Sequence, residues 1–259
     1  MNSFKLYVTG AQGVGKTAIT KLLLNILENT EALQIVEVDF LKDAFRRNIN
    51  IMKEKLGKVF PENPEGNEIA KYFCEQTESI LGEREFRKAL KDSSYDHNFD
   101  ELDKQSIYLF PRLIHALERH TEKGISTIIE GLNIPIERLI EHYREKAEKD
   151  KKFNMDSIMI VNLWVDTLEN HTKRIELRIS DRQLVDDEAE NQLSFMKNIF
   201  KINERYKDIT EEMKVNNTDI HIYNIDNSGQ KDKYTVAMEI IEKIAQSGNF
   251  IGSEFLRTK

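Results

Sequence analysis

The chain has 259 residues, 39% of them hydrophobic and 32% charged, which fits a globular domain with a heavily solvated surface. No apolar run approaches the length of a membrane span, and a formal net charge of −7 speaks against a sequence-independent nucleic-acid binder. A single cysteine, Cys74, rules out an internal disulfide and makes a reducing, cytoplasmic setting the expectation, with Cys74 itself reading as small apolar filler on a helix.

In chain order, Phe4–Thr9 is an apolar run that predicts a strand, with no signal-peptide pattern before it. Next comes Gly10-Ala-Gln12-Gly13-Val14-Gly15-Lys16-Thr17-Ala18, a complete G-x-x-x-x-G-K-T loop. Ile19, Leu22, Leu23, Leu24, Ile26 and Leu27 follow, dense enough for a buried helix. Ile35–Val38 predicts a second strand ending in Asp39, which could equally cap the helical segment Phe40–Arg47. Residues 42–123 are too long for a simple crossover and imply a helical insertion over about 48–101, with a turn cluster at Phe60-Pro61-Glu-Asn-Pro64-Glu-Gly66. Leu102–Lys123 predicts a helix with Ile107, Leu109, Phe110, Leu113, Ile114 and Leu117 in the core, a kink at Pro111 and an end at Gly124.

Ser126–Ile129 predicts a third strand ending in Glu130, and Ile158–Val165 a fourth ending in Asp166. Asp166-Thr-Leu-Glu169 resembles a capping box opening a helix through Arg178. The polar break Gln183-Leu-Val-Asp-Asp187 suits a lid over about 174–192. Between Glu188 and Met213 a helical pattern puts Leu193, Met196, Ile199, Phe200, Tyr206, Ile209 and Met213 on one side, as ordinary packing. Ile220–Tyr223 predicts the fifth strand. Short apolar strands alternating with helices imply an α/β fold, a five-stranded parallel sheet covered on both faces within one domain spanning 1–259. Ligands then gather at the carboxyl ends, so the loop, Asp39, Glu130 and Asp166 share one rim.

The loop has a direct chemical reading. Backbone N–H groups must wrap phosphates with no Cβ in the way, which Gly10, Gly13 and Gly15 permit, with Gln12, Val14 and Ala18 completing the cradle. Lys16 reaches the terminal phosphates, Thr17 can bind Mg²⁺, and the following helix adds its positive end. The expected ligands are therefore ATP and Mg²⁺. No Asn-Lys-x-Asp guanine reader is present, because Ile160-Val-Asn162-Leu163 and Asn224-Ile-Asp226-Asn227 both depart from it. Asp39 stands where a kinase would activate an acceptor hydroxyl. Glu130 stands where an acidic residue holds Mg²⁺ or its water, or else is a solvated strand-end carboxylate. Lys42, Arg46 and Arg47 could bind an anionic acceptor or form a solvated face. His171, Arg174, Arg178 and Arg182 fall on one helix face, a cationic stripe that suits a lid closing over a triphosphate.

These pieces resemble the 2-phosphoglycerate kinase family of P-loop kinases: Val8–Thr17, Val38-Asp39 followed by Arg46, Leu90-Lys-Asp-Ser93-Ser94-Tyr95, Gln105, Glu122–Gly131, and His171 with Arg174, Arg178 and Arg182. The resemblance implies the P-loop three-layer fold and transfer of the ATP γ-phosphate to a hydroxyl of a small phosphorylated acid. Lys16, Asp39, Arg174, Arg178 and Arg182 would serve catalysis. Lys42, Arg46, Ser93, Ser94, Tyr95 and Glu130 would serve the substrate, although Ser93-Ser94 could also be an ordinary helix start. Two departures stand out, Lys42 where arginine is expected and Leu132-Asn133 where a histidine is expected. A polynucleotide 5′-hydroxyl kinase, a zeta-toxin-like kinase and a non-catalytic ATP-sensing protein are the competing readings.

Overall fold

The computed structural model describes residues 3–27, 32–55, 64–81, 95–182, 193–229 and 231–247. Five strands, β1 Lys5–Thr9, β2 Leu33–Glu37, β3 Ser126–Glu130, β4 Ile158–Trp164 and β5 His221–Asp226, form one parallel sheet in the order β2-β3-β1-β4-β5. The central strands β1 and β3, each with an apolar middle, are buried at every position because the sheet is covered on both faces, while the edge strands carry mixed burial.

Among the described residues the helices are α1 Lys16–Leu27, α2 Val38–Lys55, α3 Pro64–Leu81, α4 Tyr95–Glu122, α5 Ile136–Lys149, α6 Leu168–Arg182, α7 Met196–Asn216 and α8 Lys233–Gln246. α1 packs with α8 and against β1, β2 and β3. α4 packs with α7, and together they contact β3, β4 and β5. Parallel register brings Val8 beside Glu130, Glu37 also beside Glu130, and Thr9 beside Asn162, so the strand ends that carry the site lie level.

Several expectations shift in position. β2 stops at Glu37, and Asp39 falls in the first turn of α2 instead of at a strand end. A Cβ on Gly131 would lie 2.6 Å from the Val38 Cβ, so α2 begins where Val38 packs directly on the exit of β3. The span 48–101 holds the end of α2, all of α3 and the start of α4. Pro64 opens α3, a position that suits its missing N–H, and Phe60–Asn63 of the turn cluster lie outside the described residues. Cys74 is buried on α3.

α4 begins seven residues before the expected Leu102, at Tyr95, and carries Pro111 within it. Gly124, at φ +66°, follows its end with N–H bonding back to Thr121. Leu109, Leu113, Ile114 and Leu117 are in the core, but Ile107 is 41% exposed. The start of α6 is capped by Thr167, whose Oγ1 accepts from the Asn170 N–H at 3.2 Å. Asp166 instead accepts from the Asn170 side chain, so the cap sits one residue later than Asp166-Thr-Leu-Glu169 suggests and lacks the reciprocal bond of a capping box. Met196, Ile199 and Tyr206 are buried on α7 as expected. Leu193 is 38% exposed, and 188–192 lie outside the described residues. β5 runs to Asp226, three residues past the expected end.

At the amino end of β1, Lys5 is only 4% exposed. Its Nζ lies 5.8 Å from the Tyr143 ring centroid, and the Tyr7 and Tyr143 hydroxyls bond at 2.6 Å nearby. Burial, with some repulsion from Lys146 and a smaller opposing pull from Glu118, lowers the Lys5 pKa from 10.5 to about 8. Between those values the unfolded chain holds the proton that the folded chain has released, so this group adds stability as pH rises through the window. Lys5→Met is therefore expected to raise stability at pH 7 by on the order of 2 kcal/mol. The gap between variant and wild type should narrow steadily above pH 8 in chemical denaturation; a gap independent of pH would contradict the assignment.

Candidate active site

The loop between β1 and α1 is shaped by close approaches from behind. Gly13 has φ +84°, and a Cβ there would lie 2.3 Å from Ile175 Cδ1. Gly15 has φ +96°, and a Cβ there would lie 2.8 Å from both an Arg174 guanidinium nitrogen and Asn227 Nδ2. Both positions demand glycine for conformation and for space.

Every loop carbonyl from Gly10 to Gly15 accepts a hydrogen bond. Lys16 Nζ donates to Gly10 at 2.8 Å and Ala11 at 2.9 Å. His171 Nε2 donates to Gln12 at 2.7 Å, Arg174 Nε to Gly13 at 3.4 Å, and Asn227 Nδ2 to Val14 at 2.7 Å. The Gly15 carbonyl accepts from the Ile19 N–H at 3.1 Å, the first bond of α1. Arg174 also donates to the Asn227 carbonyl at 2.5 Å, tying the exit of β5 to α6 behind the loop. Among the described residues, no protein acceptor takes the N–H groups of Gln12 to Gly15. With the carbonyls held back and the amides unclaimed at a helix N-terminus, the loop is an anion cradle.

Lys16 is the electrostatic centre. Burial pushes its ammonium below the ordinary lysine range, the Asp39 and Glu130 carboxylates act through space to restore it, and Arg178 adds to the depression. Those four side chains therefore share one field. Glu130 is buried at the end of β3, where its two oxygens accept separately from the Thr17 hydroxyl at 2.9 Å and the Thr20 hydroxyl at 2.8 Å. Thr17 and Glu130 form a hard-oxygen donor pair beside the cradle. Such a pair suits Mg²⁺, which takes one or two protein oxygens and completes its shell with phosphate and water. The unclaimed amides at the start of α1 likewise fit a nucleoside triphosphate.

Asp39 is exposed on the first turn of α2, and Lys42 is buried one turn on. Arg46 bonds Asp43 at 3.1 Å, so its guanidinium is shared with a neighbouring carboxylate on its own helix. Arg178 lies on α6 facing the Lys16 field, whereas Arg174 and His171 support the loop from behind. Arg182 is the last residue of α6; 183–192, the rest of the expected lid, lie outside the described residues. Ser93 and Ser94 also lie outside them, and Tyr95 is the first residue of α4. Asp166 is on the same rim, but its N–H donates to Ser228 and its carboxylate accepts from Asn170. Thr20 and Asn227 are the contributors that sequence reading misses.

No family model and no curated protein matches the chain. Among solved structures, deoxyadenosine kinase from M. mycoides with bound dATP has 17% identity over 93% of this chain and 99% of its own, at a TM-score of 0.39. Shikimate kinase from Acinetobacter baumannii in complex with shikimate has 13% identity over 94% of each chain, at 0.34. Shikimate kinase from Aquifex aeolicus has 16% identity over 96% of this chain and 99% of its own, at 0.28. At such scores the assignment rests on the molecule itself. A five-stranded parallel sheet with a glycine-rich G-K-T loop leaving its middle strand and an acidic residue ending the adjacent one defines a P-loop α/β fold.

His171 is fully buried, and burial lowers its pKa; the bond to the Gln12 carbonyl opposes this, while Arg174 and Lys16 reinforce it. The unfolded chain binds this proton at about pH 6.5 and the folded chain only below that, so stability falls as pH drops through 6.5. His171→Gln removes the titration. Its stability is expected to decline less steeply than wild type from pH 7 to pH 5 in urea denaturation, whatever its absolute value; identical slopes would contradict a neutral imidazole on the loop.

Proposed function

We propose that this protein is an ATP- and Mg²⁺-dependent phosphotransferase that moves the γ-phosphate to a hydroxyl of a small anionic acceptor. The acceptor suggested by the family resemblance is 2-phosphoglycerate or a similar phosphorylated acid. The observation that carries the reading is the amide cradle with Glu130 bonded to Thr17 and Thr20 beside it, and Asp39 and Arg178 close enough for their charges to act on Lys16. A carboxylate with no phosphate to bind, placed in the field of the phosphate-binding lysine, suits activation of an acceptor alcohol.

In this mechanism the amides of Gln12 to Gly15 position the phosphates, and Lys16, whose ammonium keeps a third N–H beyond those given to the Gly10 and Ala11 carbonyls, directs it at a terminal phosphate oxygen. Thr17 and Glu130 would hold Mg²⁺, whose charge offsets that on the phosphate oxygens. Thr20 fixes the second oxygen of Glu130 and so its orientation. Asp39 orients the acceptor hydroxyl and takes its proton as the new bond forms. Arg178, and Arg182 at the end of the same helix, screen the charge passing between donor and acceptor.

Two variants test this. Lys16→Ala is expected to weaken ATP binding and abolish transfer. Asp39→Asn should keep the ATP dissociation constant within about two-fold and lower kcat by about 10² or more. Calorimetry and a radiolabelled phosphate-transfer assay over a panel of small acids and alcohols read both. ATP binding with no transfer to any acceptor, or a kcat unchanged in Asp39→Asn, would overturn the reading.

A further inference from the structure

Two buried polar side chains of α7 take no part in the phosphate chemistry. Asn203 is 1% exposed, and its amide makes two bonds to one residue: Oδ1 accepts from the Val165 N–H at 3.1 Å, and Nδ2 donates to the Val165 carbonyl at 2.8 Å. Tyr206, three residues on, is also buried and donates its hydroxyl to the carbonyl of Leu132. Val165 directly follows β4, and Leu132 lies two residues past the end of β3. Those are the strands on either side of β1, so a single helix grips both strand exits that flank the phosphate loop. Backbone groups leaving a sheet lose their ladder partners, and such groups are costly to bury unpaired.

The grip on Leu132 reaches the acceptor side. On the same turn, the Gly131 N–H donates to the Val8 carbonyl at 3.2 Å. Asn133 Nδ2 reaches α4 only at 3.4 Å to the Leu102 carbonyl and 3.5 Å to Gln105 Oε1, so the Tyr206 bond is the shortest of these restraints. Gly131, the neighbour of Leu132, is the floor under Val38: a Cβ there would lie 2.6 Å from the Val38 Cβ, and Val38 is fully buried. Asp39 is the next residue, on the first turn of α2. Interiors packed at crystal-like density leave no gap to absorb a shift, so a displaced turn displaces Val38.

The Tyr206 hydroxyl is suited to a constant hold. Burial raises its pKa, and the Asp103 and Asp39 carboxylates raise it further, so it stays a neutral donor near neutral pH and lies within the field of Asp39.

We propose that Tyr206 is a positioning residue for Asp39: by holding the Leu132 carbonyl it fixes the turn on which Val38 packs, and so the place from which the Asp39 carboxylate meets the acceptor hydroxyl. The effect on catalysis rests on the phosphotransferase reading; the mechanical link from α7 to α2 does not.

The test uses the full chain and Tyr206→Phe, which removes one hydroxyl and keeps the ring. In the ¹H–¹⁵N spectrum without ligands, the variant is expected to shift the amides of residues 38–41 as well as 131–133 and to leave 12–17 in place. In the transfer assay, kcat should fall about tenfold or more while the ATP dissociation constant stays within about twofold. In an Asp39→Asn background, Tyr206→Phe should change kcat by less than about twofold, because the group it positions is already gone. Thr210→Val is the matched control: its hydroxyl is equally buried one turn along α7 but bonds only the Tyr206 carbonyl of its own helix, at 2.6 Å, and kcat should stay at the wild-type level.

Thermal melts confirm folding, and Gly131→Ala, which pushes on Val38 directly, carries the same two readouts should Tyr206→Phe not fold. Shifts confined to 131–133, an unchanged kcat, losses that multiply in the double variant, or an equal loss in Thr210→Val would overturn the proposal. Shifts at 38–41 in a protein that transfers phosphate to no acceptor would instead overturn the phosphotransferase reading and leave the mechanical link standing.

Discussion

A loop can offer its amides to an anion only if its carbonyls are satisfied elsewhere, and here six consecutive carbonyls are. The partners come from three places far apart in sequence: Lys16 within the loop, His171 and Arg174 on α6, and Asn227 beyond β5. Each donor is itself constrained. The His171 Nδ1 meets no partner among the described residues, which leaves the ring its Nε2 bond alone. Arg174 is pinned between Gly13 and Asn227, and the guanidinium sits where a side chain on Gly15 would have to go. The amide cradle is therefore a property of the whole carboxyl rim, not of the loop in isolation.

The same logic of shared contacts links the other groups. Glu130 joins the end of β3 to two threonines of α1, so strand pairing fixes the carboxylate and the carboxylate fixes the helix start. One residue later, Gly131 lets Val38 pack without a side chain in the way, which sets where α2 begins and puts Asp39 on its first turn, where its charge acts on Lys16. Another residue on, the Leu132 carbonyl holds Tyr206 of α7. Three successive residues at one strand end thus tie the threonines of α1, the start of α2 and Tyr206 of α7 together.

The sheet and the loop were legible because they obey local rules: apolar runs of strand length, and a motif whose spacing is dictated by phosphate geometry. Lys16, Thr17 and Glu130 could be placed from that pattern alone. Asp39 could be found but not located to the turn, since the end of β2 is set by packing of Val38 on a glycine more than ninety residues away. Asn227 carries no local signal at all; it matters because the β4–β5 register brings it behind the loop, and its surroundings in sequence suggested only a failed guanine reader. His171 and Arg174 were visible as a cationic stripe, yet their work on carbonyls depends on where α6 lies. Ile107 was misread as core because helical periodicity cannot distinguish a packed face from one that borders a cavity.

The central claim is that the amides of Gln12 to Gly15 are preformed to receive phosphate. Its most direct measurement is the ¹H–¹⁵N correlation spectrum of the labelled protein titrated with ATP and Mg²⁺. Large, saturable shifts at the amides of residues 12–17, with little change at Lys5 on the opposite end of β1, are the expected result. Loop amides that stay in place at millimolar nucleotide would contradict it.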